Sequence, residues 1–256
     1  MNKNTQIRIL NFLLILMIGL GCFALYLNFQ VQEEYEDTLV ANMEEYDYEV
    51  IQDLVTFPQE ELFEVPYDIK EMLSINEDFK GWLWIPETSV NYPVVQTDNN
   101  STYLTTSFQG DYSSFGSLFL DKDSISGSRN RVIHGHNMGS TRTEMFSSLV
   151  GYQDQSWAKE REVAYFTEPE AMEDAAYQLF AVLNFNIKDL DEFNYMKTNF
   201  DTEDDFQAFI DYLKNRSVYD TEFYPQRDTL ILSTCNRAYG KDNRLLICFG
   251  RPDAVN

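Results

Sequence analysis

Beyond Ser74 the chain is built from short apolar runs rich in β-branched and aromatic residues, each set off by a cluster of polar turn formers. The runs at 81–85, 92–95, 116–120, 131–134, 177–182, 230–233 and 245–249 have the length and composition of strands. This succession predicts a mostly β domain, closed as a barrel or stacked as a sandwich, rather than a sheet of βαβ units. One segment changes period. Phe206, Phe209, Ile210 and Leu213 recur at helical spacing, Asp201 or Thr202 can cap the start, acidic residues fill the first turn, and Lys214 and Arg216 close the end. That pattern predicts a helix over about 203 to 215.

The first part of the chain reads differently. Residues 9–27, ILNFLLILMIGLGCFALYL, carry no charge, and about 20 apolar residues are enough for one helix to cross a bilayer core. Lys3 and Arg8 precede the run and Glu33, Glu34, Glu36 and Asp37 come after it, so the N-terminus is expected in the cytoplasm and the remainder outside. A cleavable signal peptide is the competing reading, since Gly19, Gly21 and Ala24 are small. Against it, the run continues through Phe23, Leu25, Tyr26 and Leu27 without an A-x-A-like site. From 30 to about 57, Val31, Leu39, Val40, Met43, Tyr46, Val50, Leu54 and Val55 recur among acidic residues at roughly helical spacing, and Pro58 and Pro66 punctuate the connection to the β domain. The expected organisation is a cytoplasmic tip and transmembrane anchor over 1–29, an acidic helical stalk over 30–74, and the β domain over 75–256.

Composition and charge narrow the functions. With 44% hydrophobic and 15% aromatic residues, 256 residues can bury a core without help from disulfides or metals. The net charge is -23, and because Lys3 and Arg8 contribute +2 ahead of the anchor, the rest carries -25. A phosphate-tracking surface needs the opposite sign, so nucleic acid is excluded as a partner. The acidic surface is expected to keep the domain soluble; attraction of a cationic amine and capture of calcium are two further uses that charge alone leaves open. Cys22, Cys235 and Cys248 form no CxxC pair and have no histidine at ligand spacing, so a structural zinc site is not expected.

The candidate chemistry lies in two places. His134 and His136, the two histidines of the chain, flank Gly135 at the end of a predicted strand. Cys235 ends the run at 229–235 and abuts a polar turn, whereas Cys248 is flanked by Ile247 and Phe249 and reads as a core thiol. Arg244 lies just beyond the turn. A thiol becomes a nucleophile when a neighbouring cation favours its thiolate, and a fixed positive donor stabilises the oxyanion formed when it attacks a carbonyl. Spacing alone leaves open whether Arg244 is that donor or one half of a surface ion pair.

These residues, in this order, resemble the class B sortases of Gram-positive bacteria. The resemblance runs from about residue 75 to the C-terminus, through Gly81-Trp82-Leu83-Trp84-Ile85, Tyr92-Pro93-Val94-Val95-Gln96, Gly116-Ser117-Leu118-Phe119-Leu120-Asp121, Gly135-His136-Asn137-Met138 with Met145-Phe146, and Leu232-Ser233-Thr234-Cys235 with Arg244-Leu245-Leu246. It implies an eight-stranded sortase-type barrel with added helices, needing no cofactor and no metal. It also implies a catalytic triad of His136, Cys235 and Arg244. Such an enzyme cleaves the C-terminal sorting motif of a secreted protein at a Thr-Gly-like or Thr-Asn-like bond, holds the acyl group as a thioester and passes it to an amine. The amine belongs to the peptidoglycan, or in pilin-polymerising members to a lysine. Asn100, Leu104 and Ser233 resemble substrate-groove residues, although Asn100 could equally shape a turn, Leu104 fill a core and Ser233 bond locally. The helix at about 203 to 215 matches the one that walls the groove in this class. His134 departs from the pattern, standing where the family usually has Tyr. Rival readings are a non-catalytic wall-associated barrel and a hydrolytic cysteine peptidase.

Overall fold

The computed structural model describes residues 69–252 apart from 140 and 170–174, all within one compact unit, Tyr67–Asn256. The predicted anchor, and the stalk as far as residue 68, lie outside the described residues. Among the described residues no helix is long and apolar enough to cross a membrane.

A short helix α1 (Ile69–Ile75) leads into β1 (Phe79–Trp84), β2 (Asn91–Val95), β3 (Leu118–Leu120) and β4 (Asn130–His134). Helix α2 (Gln155–Lys159), β5 (Val163–Thr167), β6 (Ala175–Asn186), helix α3 (Glu203–Asn215), β7 (Thr229–Cys235) and β8 (Asn243–Gly250) complete the domain. The strands close into a barrel in the order β1-β2-β3-β4-β7-β8-β6-β5, with β5 returning to β1. The β2–β3 and β4–β7 pairs are parallel and the others antiparallel.

Strand alternation sorts the side chains onto two faces. Ile133 of β4, Leu230 and Leu232 of β7, and Leu245, Ile247 and Phe249 of β8 fill the barrel interior with Leu83, Val94, Leu118, Phe166 and Tyr177. Their neighbours Val132, Ile231, Leu246 and Cys248 point outward and are covered by Phe206, Phe209, Ile210 and Leu213 of α3. These strands are therefore buried on both sides, which is why they read as continuous apolar runs. Thr202 caps α3, its hydroxyl accepting from the Asp205 amide at 3.1 Å, and the helix has the predicted bounds. Each fully buried side chain on it stabilises the packing by about 1.5–3 kcal/mol.

The strand pattern is corrected in two places. β5 went unread because Glu162 and Glu168, rather than turn residues, bound its short run, yet it supplies the closing pair with β1. The strand expected over 116–120 begins only at Leu118, because Gly116 sits at φ +60° in a turn and Ser117 donates its amide to Tyr103 in the preceding loop.

Candidate active site

β7 delivers Cys235 to its last position, where the strand leaves the core and the thiol is half-buried. The chain turns back at once, the Asn236 amide donating to the Asn243 carbonyl at 3.0 Å, and β8 then sets Arg244 directly opposite Cys235 in the antiparallel ladder. Parity places both on the outward face: Cys235 continues the row of Ile231 and Ser233, and Arg244 that of Cys248 and Leu246. The Arg244 guanidinium donates through Nη1 to the carbonyls of Lys241 (3.0 Å) and Asn243 (3.2 Å). None of the ion pairs among the described residues involves it. Its charge is therefore uncompensated locally and its remaining donors are uncommitted, as an oxyanion partner requires. The Asn236 amide, next to Cys235, is already spent on the turn.

His136 arrives from the other side. The parallel β4–β7 register ends at His134 opposite Ser233, and hydrogen bonds then carry the pairing past the strand end. The Gly135 amide donates to the Ser233 carbonyl (3.2 Å), the Thr234 hydroxyl to the Gly135 carbonyl (2.8 Å), and the Asn137 amide Nδ2 to the Cys235 carbonyl (3.0 Å). The backbone of 135–137 thus runs beside that of 233–235, bringing the backbone of His136 alongside that of Cys235. Only glycine fits at 135, where a Cβ would lie 2.6 Å from the Phe146 ring and would also strike Leu118. His136 Nε2 lies 2.8 Å from the Leu104 carbonyl oxygen. A carbonyl can only accept, so Nε2 carries a proton and Nδ1 is the nitrogen left to exchange one.

Two buried polar groups underlie the site. Asp121, 2% exposed, accepts from His134 Nε2 (3.1 Å), Asn100 Nδ2 (2.7 Å) and the Asp123 amide (3.1 Å). Burial by itself pushes this carboxyl up, but the bond from His134, the other two bonds and the His134 charge together hold it below the ordinary range. Tyr195 shares a hydrogen bond with Ser233 Oγ at 3.2 Å. Burial raises its hydroxyl, the Ser233 bond and Arg244 oppose that, and Asp121 and Cys235 add to it.

The fold sorts the residues singled out from sequence into separate roles. The backbone segments that carry His136, Cys235 and Arg244 lie side by side at one end of the β4–β7–β8 sheet. Asn100 has both ends of its amide engaged, with Asp121 and with the Lys122 amide (2.8 Å), and fastens its loop to the end of β3. Leu104 is exposed in side chain and committed in backbone. The Ser233 hydroxyl is buried against Tyr195. Asp121, Tyr195 and the tethering role of Asn137 escaped the sequence reading. Asp121 left a faint signal, a carboxylate directly after an apolar strand; Tyr195, in the connection between β6 and α3, left none.

Comparison with known proteins places the fold. Residues 83–252 match the Sortase domain family. Sortase B of Staphylococcus aureus is 27% identical over 248 residues, covering 94% of this chain and 96% of the relative. Sortase B of Listeria monocytogenes is 29% identical over 179 residues, 68% of this chain and 69% of that one. The solved Staphylococcus aureus sortase B–substrate complex superposes with a TM-score of 0.64 at 28% identity, over 71% of this chain and 82% of that one. With a Sortase domain match over most of its length and an eight-stranded barrel like that of its relatives, this chain belongs to the sortase family, among the cysteine transpeptidases of class B.

Proposed function

We propose that the enzyme is a single-pass membrane protein, N-terminus inside, that cleaves the C-terminal sorting motif of secreted proteins after Thr and transfers them to a peptidoglycan amine. The Cys235 thiolate attacks the threonyl carbonyl carbon, and the resulting oxyanion is met by Arg244. As the C–N bond breaks, His136 gives a proton to the departing amine, leaving a thioester on Cys235. The acceptor amine then attacks the thioester carbonyl and gives up a proton to His136, and the thiolate is released. Leu104, with its exposed side chain, lines the groove; Asn100 and Ser233 support its walls from beneath. The observation that carries the reading is the ladder pairing of Cys235 with an Arg244 that has no ion pair among the described residues. Further support comes from the Staphylococcus aureus relative, whose solved form is a substrate complex, and from the uncharged run at 9–27 behind Lys3 and Arg8.

The test is to incubate the full chain in detergent micelles with threonine-containing sorting-type peptides and a panel of amines, including triglycine and lysine side chains, with Cys235→Ala as control. Ligated product with the wild type alone is expected. Hydrolysis alone, with amine abundant, would mark a peptidase; preference for a lysine of a folded protein would mark pilin assembly; inertness would mark a binding module.

A further inference from the structure

Among the described residues no carboxylate pairs with His136; its ring is held at Nε2 by the Leu104 carbonyl, 2.8 Å away. That oxygen belongs to a single 3₁₀ turn, Thr102–Leu104, which is fixed from three sides. The Asn99 side-chain oxygen heads the turn, accepting from the Ser101 and Thr102 amides at 2.9 Å each. Tyr103, in the middle, is buried with Val95 and Phe119. Its hydroxyl donates to Asp78 Oδ2 at 2.9 Å and accepts from Asn76 Nδ2 at 2.8 Å.

The third side is the chain entering β3. Ser117 donates its amide to the Tyr103 carbonyl (3.0 Å) and its hydroxyl to the Thr106 carbonyl (2.9 Å), which lays Gly116 against the turn. Gly116 sits at φ +60°, and a Cβ there would stand 2.3 Å from the Tyr103 carbonyl oxygen and 2.8 Å from the Leu104 carbonyl oxygen. Both are backbone atoms, which cannot swing aside as the end of a side chain would. The oxygen that a side chain at 116 would displace is therefore the one that accepts from His136 Nε2. Two residues on, Leu118 packs over Gly135, where a Cβ would lie 2.4 Å from it. Residues 116–118 thus bear both on the carbonyl that holds the His136 ring and on the glycine before it.

We infer that Gly116 is a positioning residue for acyl transfer: its bare Cα lets the Leu104 carbonyl hold His136 Nε2, so that the ring keeps one tautomer and one orientation. Neither Gly116 nor the carbonyl carries chemistry, yet together they decide which ring nitrogen is left to exchange the proton. A main-chain oxygen also holds the ring without a titration of its own, where a carboxylate would be neutralised in acid. The inference rests on the proposed transpeptidase function for its activity readout and adds a positioning residue to it.

The test uses the full chain in detergent micelles, with isotope-labelled histidine read by long-range proton–nitrogen correlation NMR and His134→Phe to assign the two imidazoles. Ligation of threonine-containing sorting-type peptides to triglycine is measured alongside. Gly116→Ala is compared with Gly110→Ala, which lies between Leu104 and Gly116 at φ +92° with nothing within 4 Å of an added Cβ. The control thus carries the left-handed backbone penalty without touching Leu104. Wild-type His136 is expected as the Nε2–H tautomer. Gly116→Ala should lose that signature and lower kcat by about 10- to 100-fold per mole of folded protein, whereas Gly110→Ala keeps the signature and a kcat within about twofold of wild type. Should Gly116→Ala fail to fold, Thr105 is replaced by its α-hydroxy acid, which makes the Leu104 carbonyl a weaker ester acceptor. Besides that it removes only the Thr105 amide, whose bond to the Thr102 carbonyl is long at 3.5 Å. Loss of the same signature and about three- to tenfold in kcat is then expected. The inference is overturned if wild-type His136 lacks the Nε2–H signature, if the two alanine variants lose kcat equally, or if activity falls while the signature stays. An ester variant with signature and kcat unchanged overturns it too. Failure of the wild type to ligate any peptide would instead overturn the transpeptidase function; the ring signature, which needs no substrate, would still decide whether Gly116 positions His136.

Discussion

Arg244, the proposed oxyanion partner, carries a charge that pH cannot remove, and among the described residues its guanidinium donates to two backbone carbonyls. Replacing it by Gln breaks no ion pair among the described residues, so the thermal midpoint should hardly move, while kcat for ligation should fall by about 10²–10³-fold. Lysine at this position keeps the charge but loses the planar fork, and should restore only part of the rate. Asn137 behaves differently, because its amide spans two backbones, donating to the Cys235 carbonyl and accepting from the Gly139 amide at 2.9 Å. Asn137→Ala leaves a carbonyl unpaired and should cost about 1–3 kcal/mol of stability in urea unfolding, together with slower alkylation of Cys235. Asn137→Asp can still accept from Gly139 but cannot donate to Cys235, so it should do no better than Ala. Of these features, the position of Cys235 and Arg244 on either side of a polar turn was legible in the sequence, whereas spacing left the role of Arg244 open and its ladder pairing with Cys235 appears only in the fold. The Tyr195–Ser233 bond was not legible, since it joins residues 38 apart through packing of the α3 layer that no local pattern announces.

Strand ends and their tethers carry the next level. β4 places Gly135 where Leu118 and Phe146 close over it, so Gly135→Ala should push His136 away from the nucleophile and abolish ligation even in whatever fraction folds, as checked by activity per mole of natively folded protein. Asp121 ties the end of β3 to His134 of β4 and, through Asn100, to the loop that presents Leu104. Its carboxyl titrates lower in the folded protein than in the unfolded chain, where the value is about 3.9. This stabilisation is therefore fully present above about pH 4 and is lost as pH falls through the lower, folded value. The stability difference between wild type and Asp121→Asn should accordingly be largest near neutrality and shrink in acid, measured as urea midpoints across that range. Sequence periodicity located α3, with both its cap and its apolar stripe local, and the strands that are buried on two faces. It failed at β5, whose charged borders concealed it, and barrel closure depends on pairings such as β1 with β5 that only the folded chain specifies.

At the scale of the whole molecule the question is what the charge does. Residues 30–256 carry -25, enough to draw cations toward them at low ionic strength. At physiological salt, however, exposed charges are screened beyond about 8 Å, and the Cys235 end of the barrel presents Arg244, which has no ion pair among the described residues. Among the described residues no group of three or more His, Cys, Asp or Glu side chains is placed to hold a metal ion. The ion pairs that do form, such as Lys122 with Asp123 and Lys188 with Asp242, are largely at the surface and contribute little each. The acidic excess is thus expected to act through solubility, leaving the rate of transfer to the triad. Ligation to triglycine and to a cationic acceptor should vary by less than about twofold between about 0.05 and 0.5 M salt, and millimolar calcium should change neither. A steep loss with salt confined to the cationic acceptor would instead assign the surface a part in capturing the amine, and a calcium-dependent gain would place an ion site in this chain.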